Sequence, residues 1–355
     1  MSKMKFLCKA LAGAVSVLFI SCSATTGGVE KSAVQKGEPD WVNGLPASYP
    51  EKDYLFASGH GNDRRSAELD AVGELVALFG QNINSASTSS NRMELAQKDG
   101  LVATASSSSL DQTIFRDVNQ NDIVAVDIPE FYESKKDGKY YALAVMSRAK
   151  GTQLYSAMIE KNQNQISSII NQIYSEKEPN TLQNYSRLDF AEEIAVVNES
   201  YLKRLLVINT LAAKKYDSYY SSIQIRKKKN DMATKIPICV SVTEDSDGRV
   251  AKTFQEVIGK EGFYTTAGTN ERYKLLCKLH LNKNQSSDGK TFFCEYSAEA
   301  SLLDTFTGET IIPMSLSGRE GSPNYENAVV RSKQKVVSKI KNEFSVKFKE
   351  FLGGN

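Results

Sequence analysis

The sequence predicts an α+β fold with an N-terminal α/β unit containing a hairpin, a helical hairpin linker and a C-terminal β-α-β-β-β-α unit. Three observations lead to this prediction. An Asp-Gly turn joins two strand-like runs near residue 137, apolar residues recur at helical spacing over 149–229, and three strand-like runs follow residue 272. With 355 residues, 41% of them hydrophobic and 24% charged, the chain is long enough for more than one core.

The first 22 residues have the pattern of an export signal. Three lysines precede an apolar run from Ala10 to Ile20, and Ser21-Cys22 follows it directly. Spanning a bilayer takes about 18 apolar residues, so this shorter run favours a cleaved signal peptide over residues 1–21. The sequence Phe19-Ile20-Ser21-Cys22 resembles the bacterial lipobox, which implies a lipid such as palmitate on Cys22. The alternative is ordinary secretory cleavage after Ala24.

The mature chain is therefore expected to be held at a membrane by its N-terminal lipid, with residues 22–37 as a flexible tether rich in Ser, Thr and Gly. Ser23, directly after Cys22, resembles the sorting signal for the outer membrane. It does not distinguish attachment on the periplasmic face from attachment at the cell surface. Removal of residues 1–21 takes away three lysines and no acids, which changes the formal net charge from +2 to −1. That balance gives no electrostatic reason to expect nucleic acid as a partner.

The N-terminal unit is predicted to cover residues 38–148. A strand over 53–58 is followed by the break Gly59-His60-Gly61, and a helix begins near Arg64 after a cap at Asn62 or Asp63. Two further strands, over 123–133 and 140–145, form a hairpin around the turn 135–138. The apolar stripe that should face the sheet from the helix consists of Ala67, Ala71, Leu75 and Phe79.

These residues resemble the Lpp-twenty lipoproteins of bacterial outer envelopes. The likeness depends on Pro39-Asp40-Trp41, on the run 54–61, on the alanine-bearing helix, and on the run 138–148, which ends in Arg148. A similar unit occurs at the N-terminus of the flagellar assembly protein T. The resemblance implies a role in envelope or flagellar assembly, and it supplies no catalytic residues.

The middle of the chain, residues 149–232, is predicted to be a helical hairpin broken at Pro179-Asn180. Arg226-Lys227-Lys228-Lys229 is expected to close the second helix as a solvated basic last turn. The two predicted apolar stripes are Leu154, Met158, Ile166, Ile169, Ile170 and Ile173, then Phe190, Ile194, Val197, Tyr201, Leu205, Ile208 and Leu211.

The C-terminal unit is predicted to cover residues 233–355. A strand over 236–242 precedes a helix that stops at Gly262, three strands over 273–281, 291–303 and 309–316 follow, and an amphipathic helix runs over 325–351. This order of elements is similar to the N-terminal domain of TolB, and to related folds in the curli-export lipoprotein and in cell-wall-synthase activator lipoproteins.

Three cysteines remain in the body of the mature chain. Cys277 and Cys294 lie on the apolar faces of two strands that should pair, so one hypothesis is a disulfide between them; the alternative is that both, with Cys239, are buried free thiols. No metal site is expected, because the chain has two histidines and no C-x-x-C pair.

Candidate catalytic residues are few. His60 lies between two glycines before a helix, yet the third glycine of a dinucleotide site and the Gly-Lys-Ser/Thr of a P-loop are absent. No Gly-x-Ser-x-Gly sequence occurs, and Asp127 with Glu130 form a catalytic pair only if the fold places them so. Trp41 is better explained by packing than by binding a sugar. We therefore expect neither a cofactor nor an enzymatic activity.

The function that these observations favour is a lipid-anchored, non-enzymatic binding or assembly module of the cell envelope, with envelope proteins as partners. A peptidoglycan-associated structural lipoprotein or a cell-wall-synthase activator is the alternative. A third hypothesis is a hydrolase with an unrecognised site, in which His60 would be the base.

Overall fold

The computed structural model describes residues 37–79, 125–287 and 289–353. The predicted signal peptide, Cys22 and nearly all of the tether lie outside these ranges. Within them the chain has two β-sheets and several helices, so the predicted α+β class is confirmed. None of the described helices is both long enough and apolar enough to cross a bilayer.

The N-terminal sheet has the strand order β1-β3-β2. Its strands are β1 (Tyr54–Gly61), β2 (Val126–Glu133) and β3 (Tyr140–Ser147), and a short helix α1 (Asp40–Asn43) precedes them. The hairpin of β2 and β3 is confirmed, and β1 pairs antiparallel with β3. Helix α2 occupies residues 64–79 on one face, and its predicted stripe is buried.

The sequence predicted that the glycines next to His60 end strand β1. This was wrong, because the strand continues through Gly61. Neither Gly59 nor Gly61 has a positive φ. Close packing by helix α2 is what requires them, because a Cβ on Gly59 would lie 2.0 Å from the backbone nitrogen of Ala71. Of the two predicted caps, Asn62 and Asp63, it is Asp63 that caps the helix. Its carboxylate accepts a hydrogen bond from the backbone N–H of Ser66 at 2.8 Å.

The middle of the chain contains two long helices, α3 (Arg148–Ser175) and α4 (Leu182–Ile208). The second predicted helix was too long. It ends at Ile208, and Asn209 leaves the helical conformation and caps a short helix α5 (Thr210–Ala213). A 3-10 turn (Lys214–Tyr216) and a separate helix α6 (Ser222–Ala233) follow, and α6 begins with a capping box between Ser221 and Gln224.

The basic residues of α6 do not form the last turn that the sequence predicted, although Arg226 and Lys227 are solvent-exposed, as expected. They lie inside the helix, and Lys229 forms ion pairs with Asp189 at 2.5 Å and Glu192 at 2.8 Å. Burial lowers the pKa of Lys229, but its bonds to these two carboxylates outweigh burial and leave the pKa above its ordinary value. Arg226 bonds to Glu192 at 2.6 Å. The cluster therefore joins α6 to α4.

The predicted apolar stripe of α4 was wrong at three of its seven positions. Phe190 and Val197 are half exposed, and Leu211, beyond the end of α4, is also exposed. The buried face of α4 is offset because the helix packs against both α3 and α6. Its buried apolar residues are Leu182, Tyr185, Leu188, Ala191, Ala195, Leu205 and Ile208. On α3, Ile166, Ile170 and Ile173 are buried as predicted, whereas Leu154 is partly exposed.

The helical pair contacts both sheets. Tyr155 of α3 and Leu205 of α4 pack in the core of the N-terminal sheet, whereas Ile170 of α3 and Leu188 of α4 pack in the core of the C-terminal sheet. Arg148 joins the end of α4 to the N-terminal unit by donating to the carbonyl oxygens of Val207 and Ile208 at 2.9 Å each. The domain boundaries at 148 and 232 stay predictions.

The C-terminal sheet has the strand order β5-β4-β6-β7-β8. The three predicted strands are confirmed, the first and third of them longer than expected, and β4 pairs parallel with β6. The strands are β4 (Ile238–Thr243), the short β5 (Thr265–Thr266), β6 (Tyr273–Gln285), β7 (Phe292–Asp304) and β8 (Glu309–Ser322).

Helices cover one face of this sheet. Helix α7 (Arg249–Lys260) follows β4, and the C-terminal rod consists of α8 (Tyr325–Lys339), a π-helical segment (Ile340–Phe344) and α9 (Ser345–Leu352). The ring of Phe344 contacts those of Phe254 and Phe348 in the core, at centroid distances of 5.0 and 5.7 Å.

The hypothesis of a disulfide between Cys277 and Cys294 is contradicted. In the β6–β7 register Cys277 lies opposite Ala300, and Cys294 lies opposite Lys283. The two cysteines are therefore separated by six residue steps along the strands, about 20 Å, whereas a disulfide needs Cα atoms within about 7 Å. All three cysteines of the body are buried free thiols, and burial raises the pKa of Cys277 to about 12.

A candidate binding cleft

The residues that the sequence singled out for chemistry do not form a common site. His60 is exposed on β1, where its backbone N–H donates to Asp70 at 2.8 Å and its Nδ1 lies 3.5 Å from the same carboxylate. His280 lies on the C-terminal sheet and pairs with Glu244 at 3.0 Å. Arg64 stacks on the ring of Phe131. The backbone N–H of His60, which lies before helix α2, is thus already bound by Asp70.

Trp41 is buried against the face of the N-terminal sheet opposite helix α2, so the packing interpretation is confirmed. Its indole N–H donates to Glu130 at 2.7 Å. Asp127 pairs instead with Lys150 at 3.5 Å. The two carboxylates named from the sequence therefore have separate structural partners.

A cleft of about 420 Å³ lies between the α3–α4 loop and the end of the C-terminal sheet. Its walls come from that loop, from the connection between α6 and β4, from the start of β6, and from the β7–β8 turn. The lining residues are Lys177, Glu178, Pro179, Asn180, Lys235, Ile236, Pro237, Glu271, Arg272, Tyr273 and Phe306.

The loop wall of the cleft is held in place by hydrogen bonds. The Asn184 side chain donates to the Pro179 carbonyl oxygen at 3.0 Å and to Glu176 at 2.8 Å. Tyr273, buried at the start of β6, accepts a 3.2 Å bond from the backbone N–H of Leu182. These bonds join the helical pair to the sheet, so the cleft is preformed.

Arg272, one of the lining residues, forms an ion pair with Asp304. The guanidinium donates to both carboxylate oxygens, through Nη2 at 2.7 Å and through Nε at 2.9 and 3.0 Å. Burial opposes ionisation of Asp304, but the bonds from Arg272 and from the Phe306 backbone N–H outweigh it and lower the pKa of Asp304. The bond to Asp304 also raises the pKa of Arg272. Arg272 is therefore occupied in holding the β7–β8 turn.

Phe306 is the exposed aromatic residue of that turn, with 65% of its surface accessible. The Arg272 guanidinium lies 5.2 Å from its ring centroid and 5.3 Å from that of Tyr273, distances at which a cation attracts a ring face. The Phe306 backbone is fixed by its N–H bond to Asp304 at 2.9 Å. The cleft thus presents a positioned aromatic ring to solvent.

Two ammonium groups and two carboxylates complete the lining. Lys177 and Lys235 are exposed and have no ion pair in the described part of the chain. Glu178 lies 4.0 Å from Arg272 at the limit of an ion pair. Within the described ranges no group of three or more His, Cys, Asp or Glu residues is arranged to hold a metal ion. What this arrangement offers chemically is apolar contact and charge pairing.

Sequence reasoning did not find these residues. Arg272 and Asp304 are separated by 32 positions, and only the register of β6 with β7, in which Tyr273 lies opposite Asp304, brings them together. The available signal was local. Phe306, before Thr307-Gly308, is an aromatic residue at an expected turn, and aromatic residues are enriched at protein interfaces.

Comparison with known proteins gives no family assignment. No family model matches the sequence, and no curated protein matches it. A secreted protein from the human pathogen Helicobacter pylori is similar over 85% of this chain and 99% of its own, at 13% identity and a TM-score of 0.45. The likeness to the Lpp-twenty lipoproteins stays a prediction.

Other solved structures that are similar to part of the chain include bacterial lipoproteins. A minor lipoprotein from Acinetobacter baumannii matches 31% of this chain and 93% of its own, at 11% identity and a TM-score of 0.24. A lipoprotein from Neisseria meningitidis matches 30% of this chain and 99% of its own, at 17% identity and a TM-score of 0.23. TM-scores of this size are too low to transfer a fold family or a function.

Replacement of Asp304 by Asn should destabilise the C-terminal unit by about 1–3 kcal/mol at pH 7, because Arg272 loses its charged partner. The pKa of Asp304 is lower in the folded than in the unfolded chain, so its contribution is present above about pH 4 and is lost as the pH falls. The variant should therefore lose less stability than the wild type between pH 5 and pH 3. Urea unfolding followed by circular dichroism measures this difference. The exposed Asp217→Asn variant is the control. If Asp304→Asn lost as much stability as the wild type between pH 5 and pH 3, the role given to the Arg272–Asp304 pair would be contradicted.

Proposed function

We propose that this chain is a lipid-anchored, non-enzymatic protein of the cell envelope that binds other envelope proteins through the cleft around Arg272 and Phe306. The export signal and the lipobox-like sequence ending at Cys22 support the anchor. Ser23 supports sorting to the outer membrane, on its periplasmic face or at the cell surface. A role in envelope or flagellar assembly follows from the resemblance of residues 38–148 and is part of the proposal.

The observation that carries the binding role is the exposed Phe306 ring held over Arg272. Binding energy at protein interfaces is concentrated in a few positions, and aromatic residues and arginine are enriched there. A fixed ring loses little conformational entropy when a partner covers it. The Asp304 bonds to Arg272 and to the Phe306 backbone fix the turn that carries the ring, and the Arg272 guanidinium lies 5.2 Å from the ring centroid.

The lining favours an extended segment of another protein as the occupant. An apolar side chain of that segment would cover the Phe306 ring, and a carboxylate would pair with Lys177 or Lys235, which lack ion pairs among the described residues. The cleft is open along one side and of modest volume, about 420 Å³, which suits a few side chains of a segment passing over it.

Site-specific photo-crosslinking in cells tests this proposal. A photoreactive amino acid at position 306 should give reproducible adducts with one or a few envelope proteins. The matched control is position 190, because Phe190 is also half exposed and does not line the cleft. Phe306→Ala should reduce capture of the same partners by at least about tenfold, a change of about 1.4 kcal/mol, whereas Phe190→Ala should not.

Two outcomes would contradict the binding role of the cleft. One is equal recovery of all neighbours from positions 306 and 190. The other is capture of peptidoglycan fragments in place of protein at position 306, which would favour the alternative of a wall-associated lipoprotein.

A further inference from the structure

The outer edge of β8 is a second surface with unusual features, distinct from the cleft. Strand β8 ends the C-terminal sheet in the part of the chain that the structure describes, and it is 14 residues long. Its register with β7 is regular from Ile312 to Ser322. An unprotected edge of this length presents free backbone groups that another strand can pair with.

Three side chains from the C-terminal helical rod bond to carbonyl oxygens of this edge. Arg331 donates to Gly321 at 2.8 Å, Lys339 donates to Ser317 at 3.3 Å, and Lys347 donates to Pro313 at 3.2 Å. The donors recur every eight residues along the helices and the acceptors every four along the strand. Eight helical residues rise about 12 Å and four strand residues about 13 Å, so the two repeats match in length.

The π-helical segment helps to keep these cations on one side of the rod. In an α-helix a step of eight residues turns about 80° past two full turns. A π turn takes up about one additional residue. The segment Ile340–Phe344 lies between Lys339 and Lys347, so the latter returns to nearly the same direction as the former.

The register shows which backbone groups of β8 face outward. Pro313 has no N–H, and its carbonyl oxygen accepts from Lys347. The backbone carbonyl of Pro313 therefore faces away from β7. Residues at steps of two along an antiparallel strand share that direction. The N–H groups of Ser315, Ser317 and Arg319 therefore face the open edge, and the side chains of all three are exposed.

The three cations form no close ion pair with an acid of the described chain. Arg331, Lys339 and Lys347 have no ion pair there, whereas neighbouring Lys341 and Lys349 pair with Glu256 and Glu261. Any incoming strand must displace these cations from every second outward carbonyl. A strand with carboxylates on the side facing the helices supplies new partners for them, and a neutral or basic strand does not.

We propose that the outer edge of β8 is a strand-addition site for an extended acidic segment of a partner protein. The segment pairs its backbone with residues 313–321, and its carboxylates take Arg331, Lys339 and Lys347 off the carbonyl oxygens. The same three cations keep other strands, including β8 of a second copy, from pairing with the edge. This site is independent of the cleft.

Binding of a labelled peptide of about ten residues, in which glutamate alternates with threonine, tests the proposal by fluorescence anisotropy at low salt. The protein is the full mature chain in detergent, and the comparison peptide has lysine in place of glutamate. The acidic peptide should bind at least about tenfold more tightly than the basic one. Hydrogen exchange at the backbone N–H groups of Ser315, Ser317 and Arg319 should slow when it binds.

A triple variant in which Arg331, Lys339 and Lys347 are replaced by Gln should lose at least about tenfold in affinity for the acidic peptide. The control replaces Lys335, Lys341 and Lys349 by Gln, which removes the same number of positive charges from the same helical rod without touching the edge carbonyls, although it also removes the exposed pairs with Glu256 and Glu261. Equal affinity of the two triple variants would overturn the proposal. So would binding that leaves exchange at the three N–H groups unchanged, or no binding of the acidic peptide.

Discussion

Replacement of Gly59 by alanine should destabilise the N-terminal unit by about 3 kcal/mol or more, the upper end of the cost of overpacking a core. The added Cβ would lie 2.0 Å from the backbone nitrogen of Ala71 and 2.5 Å from its Cα. Both atoms belong to the backbone of helix α2, so no side-chain rotation can relieve the clash. The helix must move away from the sheet, and Ala67 and Ala71, now fully buried, would lose contact with it.

Trp41 fluorescence is the measurement for this variant. Trp41 is the only tryptophan of the chain and packs on the N-terminal sheet, so its signal follows that unit during urea unfolding. Gly259→Ala is the control for adding a methyl group to a glycine, because a Cβ there meets nothing within 4 Å. Gly259 lies in helix α7 of the C-terminal unit, so unfolding of this variant is followed by circular dichroism. That control should be neutral or up to about 1 kcal/mol more stable. An unchanged urea midpoint for Gly59→Ala would show that the helix is not packed as described.

Replacement of Lys333 by methionine should cost about 3–5 kcal/mol of stability in the C-terminal unit, the range seen when one partner of a buried ion pair is removed. The Lys333 side chain is 6% exposed and lies 2.8 Å from Asp247 and 3.8 Å from Asp245. The Asp245 side chain is 2% exposed, and its Oδ1 has no hydrogen-bond partner. Without Lys333 a buried carboxylate has no countercharge.

A double-mutant cycle separates this charge effect from lost packing. Asp245→Asn removes the stranded charge and keeps an oxygen that can accept from the Ala251 N–H, so the double variant with Lys333→Met should regain part of the loss. Lys335→Met on the same helix is the exposed control, with an expected change within about 0.5 kcal/mol. Thermal unfolding measured by calorimetry provides the values. Additive losses in the cycle would contradict the ion-pair explanation.

The sequence predicted most elements because their signals are local. The turn Lys135-Lys136-Asp137-Gly138 located the β2–β3 hairpin, and alternating apolar residues located β6, β7 and β8. The buried stripe of α2 was also correct, since this helix contacts one sheet face only. Helix α4 was misread because two neighbouring helices share its surface, and a single period cannot describe two contacts.

Features that depend on register could not be predicted in the same way. The alternation of apolar residues placed Cys277 and Cys294 correctly on buried faces, but it does not fix how far one strand slides along the next. The cleft could not be predicted for the same reason. The pairing of Arg272 with Asp304 depends on the β6–β7 register, and the opposite wall of the cleft comes from the distant α3–α4 loop. The glycine at position 59 is explained by the approach of a helix that follows it in sequence.

Mass spectrometry of the mature N-terminus tests the proposed attachment to the envelope most directly. The account predicts that the chain isolated from the bacterial membrane fraction begins at Cys22 and that this residue carries the added mass of fatty acyl groups. A chain that begins at Thr25 and carries no acyl group would contradict it.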